Sequence, residues 1–259
     1  MERPWSITYT MIENLILSIS VAIAAGLIGC FVVMRRMALA ADALSHIALP
    51  GIGIALALHI HPIVGATTML FFGALLVWAV DKKARVGTET VIGVLFSAAL
   101  AIGSMMASGE QLVDALFGAA GVLTWPEILF GVAAATLVVG FVITNRSSLV
   151  VMLVSPDVAR TAGINVQRLN LFYLETFALT IALGLRYLGV LLMGALIIIP
   201  AATAKRLAKD LTGMLVIAVL VAVSATVAGT WLAIWLHRET GPLIVTTAAC
   251  LFLLSFLRK

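Results

Sequence analysis

Residues 35–62, RRMALAADALSHIALPGIGIALALHIHP, decide how the rest of the chain is read. Between the two arginines and His59 the stretch holds two ionisable side chains, Asp42 and His46, in an otherwise apolar or small-residue run. A helix crossing a bilayer takes ~20 such residues. Ionisable groups are costly at that depth and mark ion paths, proton relays or paired sites. Positions i and i+4 share a helix face, so the Asp42 carboxylate and the His46 imidazole can converge on one object. Carboxylate oxygen with imidazole nitrogen is ligand chemistry for a first-row divalent metal. The pair reads as part of a metal path through a membrane; the plainer alternative is an acid–imidazole pair that only sets helix packing. Pro50 cannot donate to the carbonyl of His46, and Gly51 and Gly53 tolerate a kink, so a distorted helix with a released His46 carbonyl is predicted beside the pair.

Composition agrees with a membrane setting. Of 259 residues, 63% are hydrophobic and 11% charged, whereas soluble domains carry about a quarter charged residues. The formal net charge of +4 reflects basic loops rather than affinity for nucleic acid. The chain holds no G-x-x-x-x-G-K-[ST] phosphate loop, so it is not expected to be an enzyme, and ATP-driven work would need another chain. Cys30 and Cys250 lie far apart in apolar runs and read as buried small hydrophobes rather than a disulfide or a metal site. The first residues, MERPWSITYTMIENLIL, lack a basic region and a small-x-small cleavage site, which predicts a retained helix.

Hydropathy predicts an all-α polytopic fold, a single transmembrane domain over 1–259. Its segments fall near 11–33, 38–60, 62–80, 89–107, 127–144, 170–188, 190–204, 212–236 and 242–257, about nine spans, eight to nine given the short 190–204. A short interfacial or re-entrant helix is expected between the fourth and fifth. Arg35–Arg36, Lys82–Lys83–Arg85, Arg146, Lys205–Arg206–Lys209 and Arg258–Lys259 all follow odd-numbered segments. By the distribution of Lys and Arg, the N-terminus is outside and the C-terminus cytoplasmic.

The longest expected inner connection contains SPDVARTAGINVQRL, 155–169. Ser155 and Pro156 form a helix start, Asp157 suits the helix dipole, and Gly163 can stop the helix in the left-handed region. A short docking helix for a cytoplasmic partner is expected, against an ordinary solvated loop. His59 and His61 at the opposite mouth could receive metal or simply sit at the interface. Asp114 could line the entrance. Glu89 suits the start of the fourth segment, and Glu175 and Arg186 are expected to snorkel to opposite surfaces. The ten Met residues are scattered, which disfavours a copper(I) thioether relay.

At RRMALAADALSHIALPG (35–51), ETVIGVLFSAALAIG (89–103), VDALFG (113–118), SPDVARTAGINVQRL (155–169) and ALIIIPAATAKR (195–206), the chain resembles the metal-specific ABC-importer permeases. These are the membrane subunits of zinc and manganese uptake systems, related in fold to type II importers of cobalamin and siderophores. Five ordered matches make the resemblance specific, and it runs nearly end to end. It implies a homodimer bound to two cytoplasmic ATPase subunits and served by an extracytoplasmic metal-binding protein, in the prokaryotic cytoplasmic (inner) membrane. It implies that Asp42 and His46 are translocation-path ligands. It also makes 155–169 the coupling helix, with Ser155, Pro156, Asp157, Ala159, Arg160 and Gly163 in contact with the ATPase. Ala41 departs from the pattern, where the family often has glycine before the aspartate.

The reading that follows is an importer permease for a divalent metal, zinc first, manganese next and iron possible. The metal is transported cargo, with no permanently bound cofactor. Two rivals stay open: an ion-coupled secondary carrier using Asp42–His46 as a proton relay, and a permease of the same fold carrying a metal chelate such as a siderophore or cobalamin.

Overall fold

The computed structural model describes residues 4–81, 88–106 and 124–257. Among them the ordered elements are helices: α1 Pro4–Met34, α2 Ala38–His46, α3 Ala48–Ala57, α4 Pro62–Asp81, α5 Thr88–Met106, α6 Trp125–Val154, α7 Pro156–Thr161, α8 Val166–Leu207, α9 Leu211–Leu236 and α10 Thr240–Ser255. Five stretches are long and apolar enough to cross a membrane by length and composition: Leu15–Met34, Pro62–Val80, Trp125–Val154, Val166–Leu185 and Leu211–Leu236. Asp114 and the short helix expected before Trp125 lie outside the described residues, apart from the capped start at Thr124.

The first helix is the central post. From Leu15 to Met34 it carries no charge, and residues 24–32 are buried on every face, as expected of a helix apolar all round and enclosed by others. It packs against α6, α8 and α9. Small residues set the approach: a Cβ at Gly26 would lie 3.0 Å from the Ala218 carbonyl oxygen, and one at Gly29 would collide with the carbonyl of Ile197. In lipid, association rests on such close packing because the hydrophobic drive between helices is absent. Cys30 is buried here as expected. Cys250 is exposed instead, because its helix α10 turns an apolar face outward.

The expected span at 38–60 is two helices. The ladder breaks at Ile47, whose N–H bonds the Leu44 carbonyl at 3.1 Å, three residues back. Pro50 is one turn later, where its missing N–H deprives the His46 carbonyl of its usual partner. α3 and α4 then form a hairpin crossed at glycines: a Cβ on Gly51 would strike the Gly65 carbonyl oxygen, and one on Gly65 the Gly51 oxygen.

α6 runs ten residues past the expected end at 144. Asn145 folds its amide back onto the Phe141 carbonyl at 3.0 Å, so the polar NRSS stretch stays in the helix. Thirty residues span ~45 Å, more than the ~30 Å hydrocarbon layer, and the connection that follows is correspondingly shorter than expected. At its start, Glu127 Oε2 accepts from both the backbone N–H and the hydroxyl of Thr124 at 2.8 Å.

The expected segments 170–188 and 190–204 are two arms of the helical segment α8. A Cβ at Gly184 would collide with the Sδ of Met193, whereas nine residues of straight helix would separate those positions by ~14 Å. The segment is therefore folded back between them. Both of its ends lie at one end of the bundle. Trp78, near the end of α4, donates to the Gln167 carbonyl at 3.0 Å, and Arg206 donates from Nε to the Ser255 carbonyl at 3.2 Å at the end of α10. The Arg35–Arg36 turn, Arg168, Lys205 and Lys209 share that basic end, the one expected to be cytoplasmic.

The glycine crossing of α3 and α4 gives a test. Gly65→Ala places a Cβ against backbone that cannot step aside, at a cost of ~1–3 kcal/mol. It should lower the thermal unfolding midpoint of the detergent-purified protein. Gly140→Ala, where nothing lies within 4 Å, should leave the midpoint unchanged or raise it through helix propensity.

Candidate functional site

α2 is nine residues long and lies against α5 and α8. Asp42 and His46 sit on it one turn apart, with the carboxylate half-buried and the imidazole residue only 8% exposed. Between them the Ser45 hydroxyl donates to the Asp42 carbonyl at 2.6 Å. This satisfies the hydroxyl locally and leaves the Asp42 carboxylate free of it. The imidazole lies against Phe96 of α5, ring centroids 5.3 Å apart and tilted by 58°. Its Nδ1 is buried and meets no hydrogen-bond partner among the described residues.

A buried nitrogen left without a partner costs free energy. A metal ion is one partner that would use its lone pair. Asp42 faces the return arm of α8, where a Cβ at Gly194 would lie 3.0 Å from the Asp42 Cα and 3.2 Å from Oδ1. The absence of a side chain at Gly194 is what lets the helix bearing Asp42 approach. Ala41, the residue that departs from the family pattern, is fully buried beside it.

No three His, Cys, Asp or Glu side chains gather into a ligand group among the described residues. One chain thus brings two donors, plus the His46 carbonyl that Pro50 cannot engage. His59 and His61 are exposed, thirteen or more positions further on, ~20 Å along a helical path. His59 has φ 55°, and its N–H bonds the Leu56 carbonyl at 3.1 Å. The His61 Nδ1 accepts from the Ile63 N–H at 3.4 Å, capping the start of α4. The structure gives both a turn-forming part and does not bring them to Asp42 and His46.

Glu89 is exposed in the first turn of α5, where it complements the helix dipole. Glu175, expected to snorkel to the surface, is half-buried, and its Oε2 is buried without a hydrogen bond among the described residues. Phe96 and Gly194 were not singled out from sequence. Phe96 lies in the ETVIGVLFSAALAIG stretch, but nothing in its spacing points at His46. Gly194 is one small residue among many.

α7 is shorter than the expected 155–169. The Ser155 hydroxyl accepts from the Val158 N–H at 3.3 Å, Pro156 fills the first position, and the helix ends at Thr161. Gly163, at φ 79°, closes it: its N–H bonds the Arg160 carbonyl at 3.1 Å, and the Ile164 N–H bonds the Ala159 carbonyl at 2.9 Å. This is the paired-bond stop that a left-handed residue permits. Asn165 then caps α8, accepting from the Arg168 N–H at 3.0 Å, so Val166–Leu169 already belong to α8. Asp157 and Arg160 pair at 2.6 Å with 87% and 62% of their side chains exposed, a contact worth little to stability. Ala159 is buried and roots the helix, while Val158 stands 57% exposed, with Val154 exposed just before the cap.

Fold and site together define a multi-pass helical membrane protein with an acid–imidazole pair enclosed in a broken helix. The profile of the ABC 3 transport family matches residues 8–259, and the chain belongs to that family. The manganese transport system membrane protein MntC of Listeria monocytogenes is 31% identical over 254 residues, covering 96% of this chain and 91% of that protein. The high-affinity zinc uptake system membrane protein ZnuB of Haemophilus influenzae is 29% identical over 238 residues, covering 90% and 91%. Among solved structures, PsaBC from Streptococcus pneumoniae in complex with Fab superposes with a TM-score of 0.80 at 27% identity, covering 93% of this chain and 89% of that one.

The stop at Gly163 can be probed directly. Gly163→Val forces a β-branched residue into the left-handed region, at a cost of ~1–2 kcal/mol. Hydrogen exchange at the amides of Ala162–Ile164 should quicken while exchange in α1 stays unchanged.

Proposed function

We propose that this chain is the permease of a type II ATP-driven importer that carries a divalent first-row metal into a prokaryotic cell. The observation that carries the reading is the enclosed Asp42–His46 pair, with an imidazole nitrogen that the chain itself leaves without a partner. Family membership and relatives named for manganese and zinc transport support it.

Two donors do not make a metal site. A second copy around a two-fold axis would bring another Asp42 and His46, giving two carboxylates and two imidazoles. That set suits tetrahedral zinc, and with added water it accepts manganese or iron. Zinc is therefore the first cargo proposed, with manganese second. The reading takes about nine passes, eight to nine, with the basic end in the cytoplasm, the N-terminus outside and the C-terminus inside, as the distribution of Lys and Arg favours. Two separate ATPase subunits dock on α7 and hydrolyse the ATP. Their motion rocks the two permeases, so that metal delivered by an extracytoplasmic binding protein reaches Asp42 and His46 and leaves on the basic side.

The test is uptake into proteoliposomes holding the chain with its ATPases and binding protein. ATP should drive zinc or manganese inward, and Asp42→Asn or His46→Ala should lower the rate at least about tenfold, the loss typical even of residues that only support metal ligands. Uptake without any ATPase would favour an ion-coupled carrier. Undiminished uptake of bare metal by both variants would favour a path built for chelates.

A further inference from the structure

The turn that delivers the chain into α2 is short and strained. α1 ends at Met34; the Arg35 N–H bonds the Phe31 carbonyl at 2.9 Å and the Met37 N–H bonds the Val32 carbonyl at 3.0 Å. Between them Arg36 holds φ 61°, unfavourable for a side-chain-bearing residue. Asp42 follows Met37 by five positions. The position of α2 therefore depends on where this turn is held.

The turn is held by Arg35. Its guanidinium lies over the Tyr173 ring, 4.7 Å from the centroid. Tyr173 is fully buried, on the outgoing arm of α8 eight residues beyond Asn165. That arm follows α7 after a four-residue turn, 162–165, fixed by the Gly163 stop and the Asn165 cap. Trp78 adds a bond to the Gln167 carbonyl at its base. The return arm of the same α8 carries Gly194, against which Asp42 rests. α2 is thus touched by α8 at two places, through the turn that precedes it and at Asp42 itself.

We propose that Arg35 and Tyr173 are positioning residues that transmit displacement of α7 to the Asp42–His46 helix. A guanidinium on an aromatic face suits this part: the contact is directional and planar, and it tolerates sliding better than a single hydrogen bond would. The inference rests on the reading of the chain as an ATP-driven permease, and deepens it by naming the link between the ATPase contact and the metal pair. The bland account is that Arg35 only anchors topology and Tyr173 only fills the core.

The two accounts separate in the full complex in proteoliposomes, with zinc uptake and ATP hydrolysis measured on one preparation. Arg35→Met keeps the aliphatic stem and removes the cation; Tyr173→Leu removes the ring; Tyr173→Phe keeps the aromatic face. Arg35→Met and Tyr173→Leu should each lower zinc moved per ATP about fivefold, ~1 kcal/mol at tenfold per 1.4 kcal/mol, the scale of a cation–π contact. Hydrolysis and zinc retained by the detergent-purified complex should be unchanged. Tyr173→Phe should keep the wild-type ratio, and the Arg35→Met/Tyr173→Leu double variant should be no worse than either single.

If Tyr173→Leu does not fold, Arg35→Met decides alone. A wild-type ratio in Arg35→Met, additive losses in the double variant, or hydrolysis falling in step with uptake would overturn the link. A wild-type complex that imports no metal overturns the importer reading along with it. Normal wild-type import with an unaffected Arg35→Met overturns the link only.

Discussion

The constraint on which this site depends is the cost of placing a carboxylate and an imidazole inside an apolar helical bundle. Lipid supplies neither hydrogen bonds nor counter-charge, so a helix carrying both groups has to be enclosed by protein. α2 lies against α5 and α8, which bring Phe96 to His46 and Gly194 to Asp42. Gly194 lets the return arm of α8 approach the Asp42 backbone, and Phe96 covers the imidazole without offering it a hydrogen bond. A polar neighbour at either place would satisfy the pair permanently. These neighbours shield it and leave its donor atoms free.

The same economy governs the way the helices meet. Gly26 and Gly29 in α1, and Gly51 and Gly65 in the α3–α4 hairpin, each permit backbone-to-backbone approach. The bundle is therefore fastened by shape, which holds in lipid, more than by apolar burial, which does not distinguish protein from hydrocarbon. Where the chain leaves that environment the means change. Ser155, Asn165, Asp210 and Glu127 cap helix ends with side-chain oxygens. Arg206 occupies the last carbonyls of α10 and lies over Phe256, 3.8 Å from the ring centroid. Two of these caps, Ser155 and Asn165, bracket α7, so the segment read as the ATPase contact is well defined although only six residues long.

Local chemistry was legible in the sequence wherever one residue type has one physical consequence. Gly163 could be read as a left-handed stop, Ser155–Pro156 as a start, and Pro50 as a disturbance near His46. The structure bears out the first two, and the third in the break at Ile47. Lengths were less legible. The NRSS stretch at 145–148 looks like a loop because its residues are polar, yet Asn145 bonds back within the helix and α6 continues to Val154. The fold-back of α8 carries no proline, and the two arms read as separate spans from hydropathy alone. The tertiary neighbours of the pair were not legible at all. Nothing about a lone glycine at 194 or a phenylalanine at 96 announces that it touches Asp42 or His46, since that depends on how α5 and α8 are placed. Cys250 illustrates the same limit: an apolar run in a membrane protein faces lipid as readily as core.

What remains to be explained is why such a costly pair is left incomplete. A site built to hold metal gathers four protein donors in one chain and closes, as structural zinc sites do. A site built to pass metal onward has to release it on every cycle, so its affinity must depend on conformation. In the proposed pair of permeases, splitting the donors between two copies of the chain would achieve this, because separating or rotating the copies would change the donor count without unfolding either one. The break at Ile47 then has a part beyond accommodating Pro50. It would let α2 tilt against α3, with the turn at Arg35–Met37 and the contact at Gly194 setting the donor geometry while the glycine crossing holds the α3–α4 hairpin. A continuous helix from Ala38 to Ala57 would transmit every displacement of Asp42 to that crossing, which has no room to move.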